Sequence, residues 1–231
     1  MATQLDLQEQ EQLDEIKAFW NQYGNLVTWT LTIALLAYAG WAGWNWWQRD
    51  QAVKAGAMFE ELDRAATAGD ADKTARVFND LKDRYARTAY AQQGGMLAAK
   101  LQFDKGQVDP ARASLTWVAD NAVEDEYRQL AQLRLAGIDL EAKKYDEALK
   151  RLGAVTLPAF AHLAADRRGD VLAAQGKRDE AKAAYQQAWK AMDDRNDYRH
   201  LVEAKLTALG ASPTLAAAVA AAASAASGAG K

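Results

Sequence analysis

Residues 25–47 read NLVTWTLTIALLAYAGWAGWNWW, and their reading decides how the rest of the chain is organised. From Ala18 through Gln48 no residue carries a charge, and Leu26, Val27, Leu31, Ile33, Leu35 and Leu36 fill the middle of that run. At about 1.5 Å per residue the stretch makes a helix of roughly 35 Å, against a hydrocarbon core of about 30 Å. It is long enough to span a bilayer with some tilt. Trp20, Tyr23 and Trp29 lie towards one end and Trp41, Trp44, Trp46 and Trp47 towards the other, where amphipathic rings settle at the two membrane–water interfaces. A helix buried in a soluble core seldom needs so long a charge-free run. A cleavable signal peptide would use Ala37-Tyr38-Ala39 as its small-x-small site, but the basic region that should precede it is missing. The stretch is therefore read as a retained anchor. Within it Ala39 and Gly43 form a small-xxx-small pair that would let another helix approach closely.

The anchor divides the chain into an acidic tail at 1–24, a transmembrane helix at 25–47, a large polar-surfaced domain at 50–208 and an alanine-rich tail at 209–231. The whole chain of 231 residues carries a formal charge of −3. Asp6, Glu9, Glu11, Asp14 and Glu15 face only Lys17 in the first tail, so the part beyond the membrane is close to neutral. That balance gives no electrostatic footprint for nucleic acid. With no cysteine, disulfides, thiolate–zinc sites and thiol nucleophiles are excluded. Orientation is weakly marked. Lys17 precedes the span and Arg49, Lys54 and Arg64 follow it, which taken alone puts the domain on the cytoplasmic side.

Beyond Arg49 apolar and charged residues alternate at helical spacing in a chain rich in Ala, Leu, Glu, Lys, Gln and Arg. Strand signals are absent, and Gly69-Asp70, Lys105-Gly106, Gly153 and Gln175-Gly176 break the pattern where short connections between antiparallel helices belong. Helices are predicted near 52–68, 71–86, 89–104, 109–121, 125–142, 145–154, 159–175, 178–192 and 195–208. The most specific signal is repetition. At an offset of 33, Leu130/Leu163, Ala131/Ala164, Arg134/Arg167, Lys144/Lys177, Asp146/Asp179, Glu147/Glu180 and Ala148/Ala181 are identical. Helix–turn–helix units repeating at about 34 residues are the tetratricopeptide signature. A weaker copy at an offset of 37 pairs Ala99, Asp109, Ala111 and Leu115 with Ala136, Asp146, Ala148 and Leu152, the extra residues making an added turn around 121–126. A degenerate first hairpin at 52–86, carrying Phe59, Leu62, Phe78 and Leu81, brings the array to about four. The expected fold is all-α: one N-terminal transmembrane helix followed by a tetratricopeptide-like solenoid.

Little in the chain suits catalysis. His162 and His200 are the only imidazoles. His162, Asp166 and Asp170 share a helix face and could in principle hold a metal, but a third helix would have to supply the rest of the site. No catalytic, cofactor or metal site is expected. Helical arrays instead present a binding surface lined by the first helix of each pair, which here would include Leu130, Leu133, Gly137, Leu140, Glu141, Leu163, Asp166 and Asp170. A mixed apolar and acidic lining of that kind suits apolar segments or a partner protein.

The acidic tail, a span ending in Gly43-Trp44-Asn45-Trp46-Trp47, and the segments Leu133-Arg134-Leu135-Ala136, Asp166-Arg167-Arg168-Gly169-Asp170, Gly176-Lys177 and Ala181 resemble the YfgM family, the ancillary subunit of the bacterial SecYEG translocon. The resemblance covers about residues 6–208. It implies an inner-membrane protein with a cytoplasmic N-terminus and a periplasmic helical domain, opposite to the basic-residue count, and this orientation is the one adopted. It also implies association with SecYEG and with a PpiD-like membrane-anchored isomerase, and a part in handing emerging, unfolded chains to periplasmic chaperones. A scaffold for envelope or cell-division complexes would use the same fold, and an enzyme is the third alternative.

Overall fold

A computed structural model describes residues 7–193 and 195–213, with side chains from residue 12 onward. It divides into two compact units, residues 1–53 and 54–231. The expected acidic and alanine-rich tails fall partly outside the described residues, at 1–6 and 214–231. Among the described residues every regular element is a helix.

The first unit is the greater part of α1, a helix that runs from Leu7 to Thr67. Helix continues through 48–51, where the reading from sequence left a gap, because Gln48-Arg49-Asp50-Gln51 contains neither glycine nor proline to end it. Among the described residues it is the one helix long and apolar enough to cross a membrane. Its apolar side chains point outward: Leu36 is 68% exposed and Trp46 71%. The hydroxyls of Thr28, Thr30 and Thr32 donate to the carbonyls of Gly24, Leu26 and Thr28 at 2.7–2.8 Å, so no threonine presents an unpaired donor to an apolar surround. Tyr38 packs on Trp41 and Trp44 on Trp47, with ring centres 6.0 and 5.2 Å apart.

The second unit holds the last turns of α1 and eight further helices: α2 (Ala71–Tyr85), α3 (Ala89–Asp104), α4 (Val108–Asn121), α5 (Asp125–Glu141), α6 (Tyr145–Gly153), α7 (Ala161–Ala174), α8 (Arg178–Lys190) and α9 (Tyr198–Ala208). A single 3-10 turn at Pro158–Phe160 leads into α7. Local chemistry accounts for the starts. Asp70 caps α2 by accepting from the Lys73 N–H at 2.9 Å, and Thr88 caps α3 by accepting from that of Ala91. Acids occupy the first turns of α5, α6 and α8, where they complement the helix dipole.

The intrahairpin turns are one motif used repeatedly. In each, a residue with positive φ donates to the carbonyl three residues back, and the following N–H donates to the carbonyl five back. Four pairs of bonds centre on Gly69, Gly106, Lys143 and Gly176, at 2.8–3.0 Å, and a fifth pair of the same kind, at Gly210, closes α9. This is the Schellman closure, and it asks for a left-handed residue that glycine supplies without a Cβ clash. Lys143, at φ 57°, is the exception among the described residues. It aligns with Gly176 at the offset of 33, so the repeat marks this turn although no glycine does.

Four apolar clusters join consecutive hairpins. Ala55 and Leu62 pack with Phe78, Leu81, Ala91 and Ala98, joining the end of α1 to α2 and α3. Met96, Leu115, Val118 and Leu135 join α3, α4 and α5. Leu133, Ala148, Leu152 and Val171 join α5, α6 and α7. Leu172, Tyr185, Val202 and Leu206 join α7, α8 and α9. Small residues sit where helices cross. Ala111, Ala136, Ala148 and Ala181 are buried, and a Cβ added at Gly169 would enter the ring of Tyr185. The same holds at Gly94, where a Cβ would lie 2.8 Å from Leu81. No helical turn lies at 121–126, where α4 has ended at Asn121 and α5 opens at Asp125; the extra length falls within α4, which has 14 residues against 9 in its counterpart α6.

Replacing Lys143 by glycine removes the Cβ penalty at the one turn without a glycine. The variant is expected to be more stable by up to about 1 kcal/mol, read as a higher thermal midpoint of the detergent-solubilised chain. A lower midpoint would show that the lysine's own contacts outweigh its backbone strain.

Candidate binding groove

Helices α3, α5 and α7 are the first members of three successive hairpins, and α5 packs against both α3 and α7. Their facing side chains enclose a groove of about 360 Å³. Its floor is apolar: Phe103 from α3, Leu130, Leu133 and Gly137 from α5, and Leu163 from α7. Charged side chains rim it, Lys100 and Asp104 on α3, Arg134 and Glu141 on α5, and Arg167 on α7.

Two side-chain amides, the buried Gln92 and the half-buried Gln129, tie the helices that form it to their connections. The Gln92 carboxamide oxygen, on α3, accepts from the N–H groups of Val123 and Glu124 at 3.0 and 3.3 Å, tying down the connection into α5. Gln129, on α5, does the same for the connection into α7, accepting from Thr156 and Leu157 at 2.8 and 2.7 Å. The two glutamines are 37 residues apart, the offset of the weaker repeat. Behind the groove, the buried Asp139 carboxylate binds Arg112 of α4 and the Arg151 Nε of α6, the latter at 2.6 Å. Arg151 also donates to the Gln132 side chain at 3.2 Å. One carboxylate thus bridges the second helices of two hairpins through the first helix of the later one.

Five of the residues expected to line the surface do so: Leu130, Leu133, Gly137, Glu141 and Leu163. Leu140 instead packs half-buried against the cluster that joins α5, α6 and α7. Asp166 is a correction to the expected lining. Its carboxylate is fully buried, accepting from the Tyr198 hydroxyl at 2.6 Å and from Lys205 Nζ at 2.8 and 2.9 Å. Asp170 is drawn the same way, accepting from Lys205 Nζ at 2.7 Å and from the Tyr185 hydroxyl at 2.8 Å. An unpaired carboxylate is costly to bury, so both turn to the cation and phenols that α8 and α9 bring to them. The two acids that share a face with His162 are therefore spoken for by Lys205. Ala39 and Gly43 lie exposed on the first unit, with open space where a Cβ at Gly43 would sit.

With those two carboxylates withdrawn, the groove's α7 wall is basic rather than acidic. Arg167 reaches Asp170 at 3.5 Å only. Arg134 donates to the Met96 carbonyl at the same distance, and burial lowers its pKa. Both side chains are guanidinium cations. Lys100, Phe103 and Asp104 on α3 were missed from sequence because the repeat is weakest there. Arg134 and Arg167 were visible as an identical pair, and their role was not.

Known proteins share this architecture. The tetratricopeptide repeat-like domain family matches residues 17–211. A Neisseria gonorrhoeae protein named ancillary SecYEG translocon subunit is 32% identical over 88% of this chain and 98% of its own. Proteins of the same name from Haemophilus influenzae and Escherichia coli are each 24% identical, over 79% and 77% of this chain and 89% and 85% of theirs. No solved structure matches the chain.

Tyr185 and Tyr198 supply a pH-dependent term. Burial, then the carboxylates they donate to, raise both phenols above the ordinary tyrosine value of about 10. The folded chain holds these protons where the unfolded chain releases them. Their contribution is complete below about pH 10 and is lost as pH rises beyond it. Thermal midpoints measured from pH 8 upward should fall above about pH 10, and less steeply in Tyr198→Phe. Equal slopes would show that the phenol does not contribute.

Proposed function

The chain belongs to the tetratricopeptide-like family of ancillary SecYEG translocon subunits, and from that premise we propose that it is a membrane-tethered binding protein of the translocon. Its groove holds apolar segments of emerging polypeptides before they pass to periplasmic chaperones. The observation that carries this reading is the apolar floor formed by Phe103, Leu130, Leu133 and Leu163 on first helices of successive hairpins, in a protein anchored by a helix long and apolar enough to cross a membrane. Naming as translocon subunits describes a non-catalytic kind of protein. Binding is then the activity, and tethering supplies its local concentration.

In this reading residues 1–24 lie in the cytoplasm, 25–47 span the inner membrane and 50–208 face the periplasm. SecYEG meets the anchor, where Ala39 and Gly43 offer a close-packing face for a neighbouring helix. A PpiD-like isomerase joins the complex on the periplasmic side.

Two measurements test the proposal. A photo-crosslinking residue at Leu163 or Glu141, inside the groove, should capture secretory chains in living cells, whereas one at Gln186, exposed on α8, should capture far fewer. Equal capture from both faces would remove the groove from the function. For topology, Ala68→Cys introduces a single exposed thiol into a chain that has none. It should react with an impermeant maleimide in spheroplasts, and protection until lysis would reverse the orientation.

A further inference from the structure

We propose that the groove selects among apolar segments, preferring those that carry carboxylates, and that Arg134 and Arg167 are the residues that read them. The inference rests on the reading of the groove as a site for polypeptide segments and adds a charge preference to it.

The two arginines occupy one repeat position. The offset of 33 places them on equivalent turns of α5 and α7, and both line the groove. Their neighbours leave them with unused donors. Each arginine has five N–H donors, yet the hydrogen bond that Arg134 makes to Met96 and the one that Arg167 makes to Asp170 are both 3.5 Å long. The acids that could have satisfied them are engaged elsewhere. Lys205, Tyr185 and Tyr198 hold Asp166 and the Oδ1 of Asp170, leaving Arg167 only its 3.5 Å contact to Asp170 Oδ2. Asp104 is held by Lys100 at 2.6 Å. Glu141 lines the groove seven residues beyond Arg134, about 10 Å along the helix, so it marks the end of the groove and leaves the middle to the cations.

Partial burial of Arg134 adds to the case. Its guanidinium is desolvated enough for its pKa to fall, and a carboxylate arriving from a ligand would offset that cost with charge-assisted, bidentate bonds. Leu130, Leu133 and Leu163 lie among the same lining residues. The matching ligand is an extended or helical segment whose apolar side chains cover the leucines while an Asp or Glu reaches the arginines. A basic segment of equal hydrophobicity meets two like charges and is disfavoured.

The test uses the full-length chain in nanodiscs of zwitterionic lipid and two fluorescent peptides with the same apolar residues, one carrying glutamates and the other lysines at the intervening positions. Fluorescence anisotropy at low salt should show the glutamate peptide bound about tenfold more tightly, with the ratio shrinking at higher ionic strength. The double variant Arg134→Gln with Arg167→Gln should abolish the preference while retaining apolar binding, and Arg134→Glu with Arg167→Glu should reverse it. Circular dichroism reports whether each variant is folded. Should a double variant unfold, the single change Arg167→Gln, at a side chain 50% exposed, should lower the ratio alone. Equal affinity of the wild-type chain for both peptides overturns the inference and leaves the groove reading intact. Failure to bind either peptide overturns the groove reading itself.

Discussion

A helical hairpin of this chain cannot cover its own apolar face. Each of the four clusters that hold the second unit together takes side chains from more than one hairpin, so the stability of one hairpin is conditional on its neighbour. That dependence is what makes repeat arrays close to one-dimensional. The crossings place small residues at Gly94, Gly169, Ala136 and Ala148 and bulk at Leu81, Leu152 and Tyr185. Among the described residues the last helix is α9, whose Val202 and Leu206 complete the last cluster as a further first helix would.

Charge is sorted by the same geometry. Asp139 and Asp166 are the buried carboxylates on first helices, and each is shared between elements: Asp139 by arginines of α4 and α6, Asp166 by a lysine and a tyrosine of α9. Such pairs contribute less to stability than to specificity, since a displaced helix would leave a carboxylate buried without a partner. Drawing acids out of the lining has a functional side effect. It leaves the groove with an apolar floor and arginines that are only loosely engaged, so the network that closes the end of the array also sets the character of the surface three hairpins share.

The two units answer to different solvents. In the second, most exposed positions are polar or charged and most large apolar side chains are buried or half-buried. In the anchor the order is inverted, with tryptophans and leucines outermost and threonine hydroxyls folded back onto the helix's own carbonyls. Both surfaces occur on one helix, α1, because nothing between 48 and 54 interrupts its hydrogen-bond ladder. Where the membrane-spanning function ends and the packing function begins is therefore written in side chains alone: the last outward aromatic is Trp47, and the first fully buried apolar residue is Ala55.

Period and punctuation were legible without coordinates. Charge-free length marked the anchor, the 33-residue offset marked the hairpins, and glycine marked three of the intrahairpin turns between α1 and α8, because each is a local consequence of backbone geometry or solvent. Five groove positions, Leu130, Leu133, Gly137, Glu141 and Leu163, also followed from the rule that first helices line the surface. What sequence could not give was the direction of a side chain that has two plausible partners. Asp166 and Asp170 lie on the same helix as Leu163 and Arg167, and periodicity alone left them in the lining. Only the docking of α9, some 35 to 39 residues later in the chain, brings Lys205 close enough to turn them away. Fold class was thus decided by short-range pattern, and the sign of the groove by a long-range contact that no repeat period encodes.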